Sequence, residues 1–457
     1  METYELIVIG AGPAGQKAAL QAAKLKRKVA IIEREPVVGG ACVSTGTLPS
    51  KTLRETVHSL TQLRRRQLIN GKHTTMAALL ERKEHVVKQE IDVIRGPLDR
   101  NGVDVVRGAA TFLDPHTLRV RTRDGMKCDY RANAIIIATG SRPAAVQGVD
   151  TTDPRLMDSD SVLDLDNVPR TLTVLGGGVI GCEYACIFAA VGTRVTLVDR
   201  RHSLLRFLDG EISSALAYQM RSHDITLRLG EELDEINLVN GTGRVETRLK
   251  SGKVLLSEKL LCAMGRQSNI EGLGLEALGV STSATGLVQV NEHYQTAAHP
   301  HLYAVGDVIG FPSLASTSME QGRLAACHAL GEKSAPMPKS FPYGIYTIPE
   351  ISFAGATEEE LTKDLVPYEI GRAEYSETAR GKILGDHTGM LKLLFHRETL
   401  QLLGIHILGE GATELIHIGQ AVLAHQGSVT YFRDAVFNYP TLAECYKIAA
   451  LNGLNRL

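Results

Sequence analysis

The chain opens on a nearly continuous apolar run, Tyr4 to Gly10, with no alternation of polar and apolar positions. A short run of that kind, closed by glycine, reads as a strand buried on both faces, as in a parallel sheet. Gly10-Ala11-Gly12-Pro13-Ala14-Gly15 follows, then an Ala-rich segment to about Lys26 with the composition of a helix. A second apolar run, Lys28 to Ile32, ends at Glu33. The same succession returns later. Thr171 to Leu175 is a strand, Gly176, Gly178 and Gly181 form the turn, and a helix runs to about Val191. A strand from Arg194 to Val198 then ends at Asp199. From first glycine to acid the interval is 23 residues in both copies, 10 to 33 and 176 to 199.

Each residue of this pattern has a task. The first glycine permits the tight turn, the second lets backbone approach a pyrophosphate, and the third lets helix and strand pack closely. The helix start offers free N–H groups and a positive dipole end to phosphate. The acid accepts hydrogen bonds from ribose hydroxyls. One G-x-G-x-x-G is weak evidence, since a glycine-rich turn gives the same letters. Two copies in strand–turn–helix context with equal acid spacing predict two dinucleotide sites.

Two further apolar runs end in small-residue turns: Ala134 to Ile137 before Ala138-Thr139-Gly140-Ser141, and Tyr303-Ala304-Val305 before Gly306-Asp307. The second leaves a carboxylate at a strand's carboxyl end, where ligands of such sheets bind. Asp307 can serve turn chemistry alone, but beside two dinucleotide motifs a ribityl-chain ligand is the favoured reading.

Composition narrows the class. At 457 residues the chain exceeds one ordinary domain, and 44% hydrophobic with 22% charged residues is the balance of a globular protein. A net charge of −1 supplies no field for nucleic acid or anionic lipid. No apolar run approaches a membrane span and no cleavable leader is recognised, so the expectation is cytoplasmic. Seven cysteines, at 42, 128, 182, 186, 262, 327 and 445, are scattered. That spacing argues against a disulfide framework or a zinc site. Cys182 and Cys186 lie in a helix among Ala, Ile and Phe, where thiols behave as small apolar residues. The stretch from about Thr52 to Leu98 reads as long helices, and its Arg64-Arg65-Arg66 as a solvated face.

Taken together these segments resemble the pyridine nucleotide–disulfide oxidoreductase family, whose members include dihydrolipoamide dehydrogenase and glutathione reductase. The likeness covers essentially the whole chain. It implies FAD on the first unit (Gly10, Gly12, Gly15, Glu33, with Thr139, Gly140, Gly306 and Asp307) and NAD(P)H on the second (Gly176, Gly178, Gly181, Asp199). It further implies a homodimer, or a higher homo-oligomer, formed by a C-terminal domain entered near Tyr346-Thr347-Ile348-Pro349-Glu350. In the family the lysine at Lys51 pairs with the glutamate at Glu183 beside the flavin, where a cation favours electron density arriving on the ring. The bland readings are a helix cation and a solvated helix face.

Two departures from the family stand out. Its redox motif pairs two cysteines, and here Cys42 is present while the second position holds Thr47. Its acid–base pair is histidine with glutamate, and here Tyr439 stands before the retained Glu444. A phenol with a pKa of about 10 does not replace an imidazole as a proton shuttle for thiols. Both losses fall on thiol–disulfide exchange, so disulfide reduction is expected to be absent. Cys42-x4-Thr47, Pro312-Ser313-Leu314-Ala315-Ser316, Gln321-Gly322-Arg323 and the ending from Asn438 resemble the soluble transhydrogenases of the family, which exchange hydride between NADPH and NAD⁺. Arg200 and Arg201 directly follow Asp199. They read either as solvated charges or as the cations that suit the 2′-phosphate of NADP, beside an acid that suits the free ribose of NAD.

The fold expected is α/β: two Rossmann-like dinucleotide-binding domains plus a C-terminal α+β dimerisation domain. Residues 1–145 and 270–335 form the FAD domain, 146–269 the NAD(P) domain, and 336–457 the dimerisation domain. The function expected is ping-pong hydride exchange through the flavin between NADPH, NADH and their oxidised forms. Alternatives are an NAD(P)H:quinone or dye reductase with the same motifs, and a non-catalytic flavoprotein redox sensor.

Overall fold

The structure is a computed structural model that describes residues 1–65, 75–146, 149–239, 241, 243–338 and 340–457. Of the run Arg64-Arg65-Arg66, Arg66 and the side chain of Arg65 lie outside the described residues. The chain divides into two compact units. The first is Met1–Leu53, Ala77–Ala145 and Gly265–Met337, and the second is Arg54–Met76, Val146–Met264 and Pro338–Leu457.

The first unit is built on a sheet whose parallel part runs in the order Asp104–Arg107, Val29–Glu33, Glu2–Ile9, Lys127–Ile137, Leu302–Ala304. Burial explains the unbroken apolar runs. Leu6 and Val8 pack on one face with Ala18 and Ala22, whereas Ile7 and Ile9 pack on the other with Leu118 and Val120. Each such side chain contributes about 1.5–3 kcal/mol by leaving water. Helix Pro13–Lys24 lies against helix Ala315–Ala329 so closely that a methyl group on Gly322 would come within 2.0 Å of the Ala14 carbonyl oxygen. Ile94 and Leu98, from helix Met76–Arg100, close the same core. The strand order reverses beside Glu2–Ile9, so the first glycine turn sits at the topological switch point.

In the second unit a parallel sheet runs Thr226–Leu229, Arg194–Asp199, Thr171–Leu175, Lys259–Cys262, Leu156–Met157. Its central strand again precedes a glycine turn and a helix, Val179–Ala190. The C-terminal part is antiparallel, in the order Tyr343–Ile345, Ile351–Gly355, Leu402–Leu408, Met390–His396, Tyr368–Glu374. One face of that sheet buries Leu391, Leu393, Phe395, Ile405 and Ile407 against Ile416, Tyr446 and Ala449 of two helices. The chain is thus α/β with two parallel Rossmann-like sheets, each covered on one face by β-strands, and an α+β C-terminal part. Among the described residues no helix is long and apolar enough to cross a membrane.

Candidate active site: two glycine turns and a half-kept redox motif

In the first unit Gly10 takes φ +105°, a conformation L side chains rarely adopt, and a methyl group on Gly15 would lie 1.9 Å from the Gly10 carbonyl oxygen. These two glycines are required by the protein itself. Gly12 is different, because the only atom a methyl there would meet is Gly40 Cα, at 4.0 Å. Its small size keeps space open in front of a helix start that has no side-chain cap and no acid in its first turn. That is the form of an anion site. The buried Glu33 carboxylate orders the turn by accepting from the Ala11 N–H (2.7 Å) and the Glu35 N–H (2.8 Å).

Asp307 stands at the end of strand Leu302–Ala304, in a short 3-10 turn that begins at Gly306. Its carboxylate accepts from the Ser141 hydroxyl at 2.7 Å, and Ser141 in turn accepts from the Arg266 guanidinium at 2.8 Å. Gln321 fixes the turn by accepting from the Gly306 N–H. The Thr139 hydroxyl is buried with no hydrogen-bond partner among the described residues, a group that a bound polar ligand would satisfy. The open glycine turn, this unpartnered hydroxyl and the fixed Asp307 fit FAD. Arg266 did not emerge from the sequence. A lone arginine after a strand carries no signal until the fold brings it to Ser141.

Cys42 lies half-buried in the short helix Gly40–Ser44. Burial pushes its thiol up from the ordinary value, and the Thr47 hydroxyl and the Lys51 charge offset this only in part. Thr47, in the second-sulfur position, begins the following helix, Thr47–Arg65. All seven cysteines are free thiols. Burial raises Cys186, Cys262 and Cys445 to about 12, which leaves them inert, since the thiolate is the nucleophile.

The second unit repeats the turn closely. Gly176 has φ +107°, and a methyl on Gly181 would sit 1.8 Å from the Gly176 carbonyl oxygen. A methyl on Gly178 would meet no protein atom within 4 Å. The acid is held differently. Asp199 Oδ1 accepts from the Arg201 N–H (2.7 Å) and Nε (2.9 Å), and Oδ2 accepts from Arg201 Nη2 (2.7 Å) and the Gly177 N–H. Burial pushes the Asp199 carboxyl up, but the Arg201 guanidinium and the two amides outweigh it, so the carboxyl is held below its usual range. Arg201 is raised in return by its bonds to Asp199. Arg200 is exposed. Glu183, in helix Val179–Ala190, is buried and accepts from the Tyr346 N–H at 2.9 Å.

Glu444 begins the helix Glu444–Leu454, and its Oε2 is buried without a hydrogen-bond partner among the described residues. Tyr439 is 75% exposed.

Comparison with known proteins agrees with this geometry. A family model described as pyridine nucleotide-disulphide oxidoreductase matches residues 4–322, and the dimerisation domain of the same family matches residues 341–450. A protein of Mycobacterium bovis (strain BCG / Pasteur 1173P2) named soluble pyridine nucleotide transhydrogenase is 49% identical over 463 residues, covering 100% of this chain and 98% of that protein. One of the same name from Pectobacterium atrosepticum is 47% identical, covering 99% and 98%. Among solved structures, LpdA from Mycobacterium tuberculosis superposes with a TM-score of 0.91 at 25% identity over 99% of both chains. The HOCl-induced flavoprotein disulfide reductase RclA from Escherichia coli gives 0.89 at 27% identity, covering 98% of this chain and 99% of that one.

Proposed function

The chain belongs to the pyridine nucleotide-disulphide oxidoreductase family, and on that premise we infer that it is a FAD-dependent enzyme exchanging hydride between NADPH and NAD⁺. The observation that carries this reading is Thr47 standing where the family's second redox cysteine would be, five residues after Cys42. A threonine has no sulfur to pair, so the usual disulfide outlet for electrons is missing while both dinucleotide turns are intact. FAD bound at the first unit supplies a two-electron store between one nucleotide and the next.

The residues divide the work. The turn Gly10, Gly12, Gly15 offers backbone N–H groups to the FAD pyrophosphate, Glu33 orders it beside the ribose, and Thr139, Gly140, Gly306 and Asp307 receive the ribityl side. Lys51 contributes a positive charge that favours electron density on the flavin ring, and Glu183 is its candidate partner in the reaction. Gly176, Gly178 and Gly181 receive the nicotinamide nucleotide, with Asp199 for a free ribose and Arg200 and Arg201 for a 2′-phosphate. Hydride exchange between two nucleotides needs no external acid or base. Tyr439 in place of an imidazole therefore costs this reaction nothing, and Cys42 and Glu444 stay candidate catalytic residues. Two copies associate through the C-terminal part, 336–457, and the enzyme works in the cytoplasm.

The test is a steady-state assay of the purified protein with NADPH and an NAD⁺ analogue whose reduced form absorbs apart from NADPH. Parallel assays use quinones and lipoamide. Faster turnover with the nucleotide acceptor supports the reading, and turnover confined to quinones would replace it with a diaphorase.

A further inference from the structure

The strand Met390–His396 reads MLKLLFH, and the Lys392 at its third position has no exposure. Its ammonium donates to Asp209 Oδ1 (2.8 Å), also fully buried, and pairs with Glu211 Oε2 (3.1 Å) and Glu358 Oε1. The ammonium occupies the centre of these three carboxylates, so the cluster is an internal ion network and not a vacant cation site. Arg372 adds a second cation on Glu211 at 2.7 Å. Asp209 has a structural task as well, because it caps helix Gly210–Ser222 by accepting from the Glu211 N–H. The neighbouring Gly210 N–H donates to Glu359 at 2.9 Å.

Asp209 lies ten positions after Asp199 in the sequence, and the segment so bounded carries Arg200 and Arg201. Its near end is tied to the parallel sheet: Asp199 pairs in register with Leu229, and the Arg201 carbonyl accepts from the Gly230 N–H at 3.0 Å. Its middle folds back on the glycine turn through the buried Leu204, whose Cδ2 would lie 2.9 Å from a methyl on Gly177. Leu205 holds a left-handed φ of +43°. Its far end is tied to the C-terminal sheet twice, by Asp209 on Lys392 and by the Phe207 ring on Tyr343 (5.2 Å between centroids) and Phe353 (6.1 Å).

We propose that Lys392, through Asp209, is a positioning residue for nucleotide selectivity: the C-terminal sheet sets where Arg200 and Arg201 stand, and so the balance between NADPH and NADH. Asp199, which meets a free ribose, belongs to the sheet and does not depend on the fastening. The arginines open the segment whose far end is fastened: Arg201 is also held by Asp199 and Gly230, and Arg200 is exposed between them. The inference rests on the reading of Arg200 and Arg201 as 2′-phosphate cations.

The experiment measures KM and kcat for NADPH and for NADH, with one NAD⁺ analogue as acceptor, on FAD-loaded protein. The variants are Lys392→Met, Phe207→Ala and the double variant Arg200→Ala with Arg201→Ala. In both fastening variants the ratio of KM for NADPH to KM for NADH should rise about fivefold or more, with kcat for each donor within about twofold of the parent. A merely structural role would move both nucleotides together, and that result, or an unchanged ratio, overturns the proposal. If Lys392→Met fails to fold, Phe207→Ala decides by the same readout. If the double arginine variant shifts the ratio and the fastening variants do not, the fastening fails alone. If the double arginine variant leaves the ratio unchanged, the 2′-phosphate reading falls and the proposal with it.

Discussion

The two glycine turns are nearly superimposable in their backbone logic and opposite in how they treat their acid. Gly10 and Gly176 adopt the same left-handed φ, and Gly15 and Gly181 leave the same minimal gap between helix and strand. Glu33, however, takes backbone N–H groups on both its oxygens. Asp199 takes the forked guanidinium of Arg201 across both of its own. A bare carboxylate 4 Å from a phosphate charge costs about 1 kcal/mol in water and about 4 kcal/mol near a protein surface. A carboxylate already paired with a guanidinium imposes much less of that repulsion. The first turn thus suits one resident cofactor with a free ribose. On the proposed function, the second would receive a nucleotide with or without a 2′-phosphate.

The sharpest way to break this comparison is to damage the two turns identically. Gly15→Ala and Gly181→Ala each force a methyl group against a backbone oxygen, and displacement of a reacting group by about 1 Å can cost 100-fold in rate. Gly15→Ala should yield protein with little FAD, read by the ratio of visible to ultraviolet absorbance. Gly181→Ala should remain yellow and lose NADPH oxidation by about 100-fold. Colourless Gly181→Ala protein would assign the cofactor to the wrong turn.

Next in size is the missing thiol chemistry. Reduction of lipoamide or oxidised glutathione should be at least about 1000-fold slower than the nucleotide reaction, because a positioned acid–base group alone contributes 100- to 10,000-fold. Comparable turnover would show that Thr47 and Tyr439 do not disable exchange.

Smaller again is the effect of removing the guanidinia. Arg200→Ala with Arg201→Ala should raise KM for NADPH at least about tenfold over KM for NADH, since each charge-assisted bond to phosphate is worth about 1.5–3 kcal/mol. Equal effects on both nucleotides would make the pair a solvated face.

The smallest expected effect is on pH dependence. The Asp199 carboxyl is lowered, so its stabilising bond to Arg201 is present above the unfolded carboxyl pKa of about 3.9 and is lost only as pH falls through the lower folded value. Arg201 is raised and stays charged. The ratio of KM values for the two nucleotides should therefore be flat from about pH 7.5 to 9, above the second ionisation of the 2′-phosphate at about pH 6, and a step in that range would implicate another titrating group.

How much of this was legible in the sequence depends on whether a feature is local. Both turns are local, since strand, glycines, helix and acid lie within one short segment, and the buried parallel strands announce themselves because Leu6 and Ile7 face opposite cores. The Cys42–Thr47 pair was readable for the same reason. The forked bond from Arg201 was not, because two adjacent arginines after an acid look alike whether solvated or paired. Lys392 was invisible too. It interrupts an apolar strand, and its carboxylates come from residues 209, 211 and 358, which only the fold assembles. Arg266 reaches Ser141 from 125 positions away.

The central claim is that one nucleotide site serves donor and acceptor in turn, with FAD holding the electrons between visits. Initial rates with NADPH and NAD⁺ varied together test it most directly. Parallel lines in double-reciprocal plots are predicted, because the first product must leave before the second substrate binds the unit at Gly176 to Asp199. Intersecting lines, with both nucleotides bound at once in an equilibrium binding experiment, would contradict it.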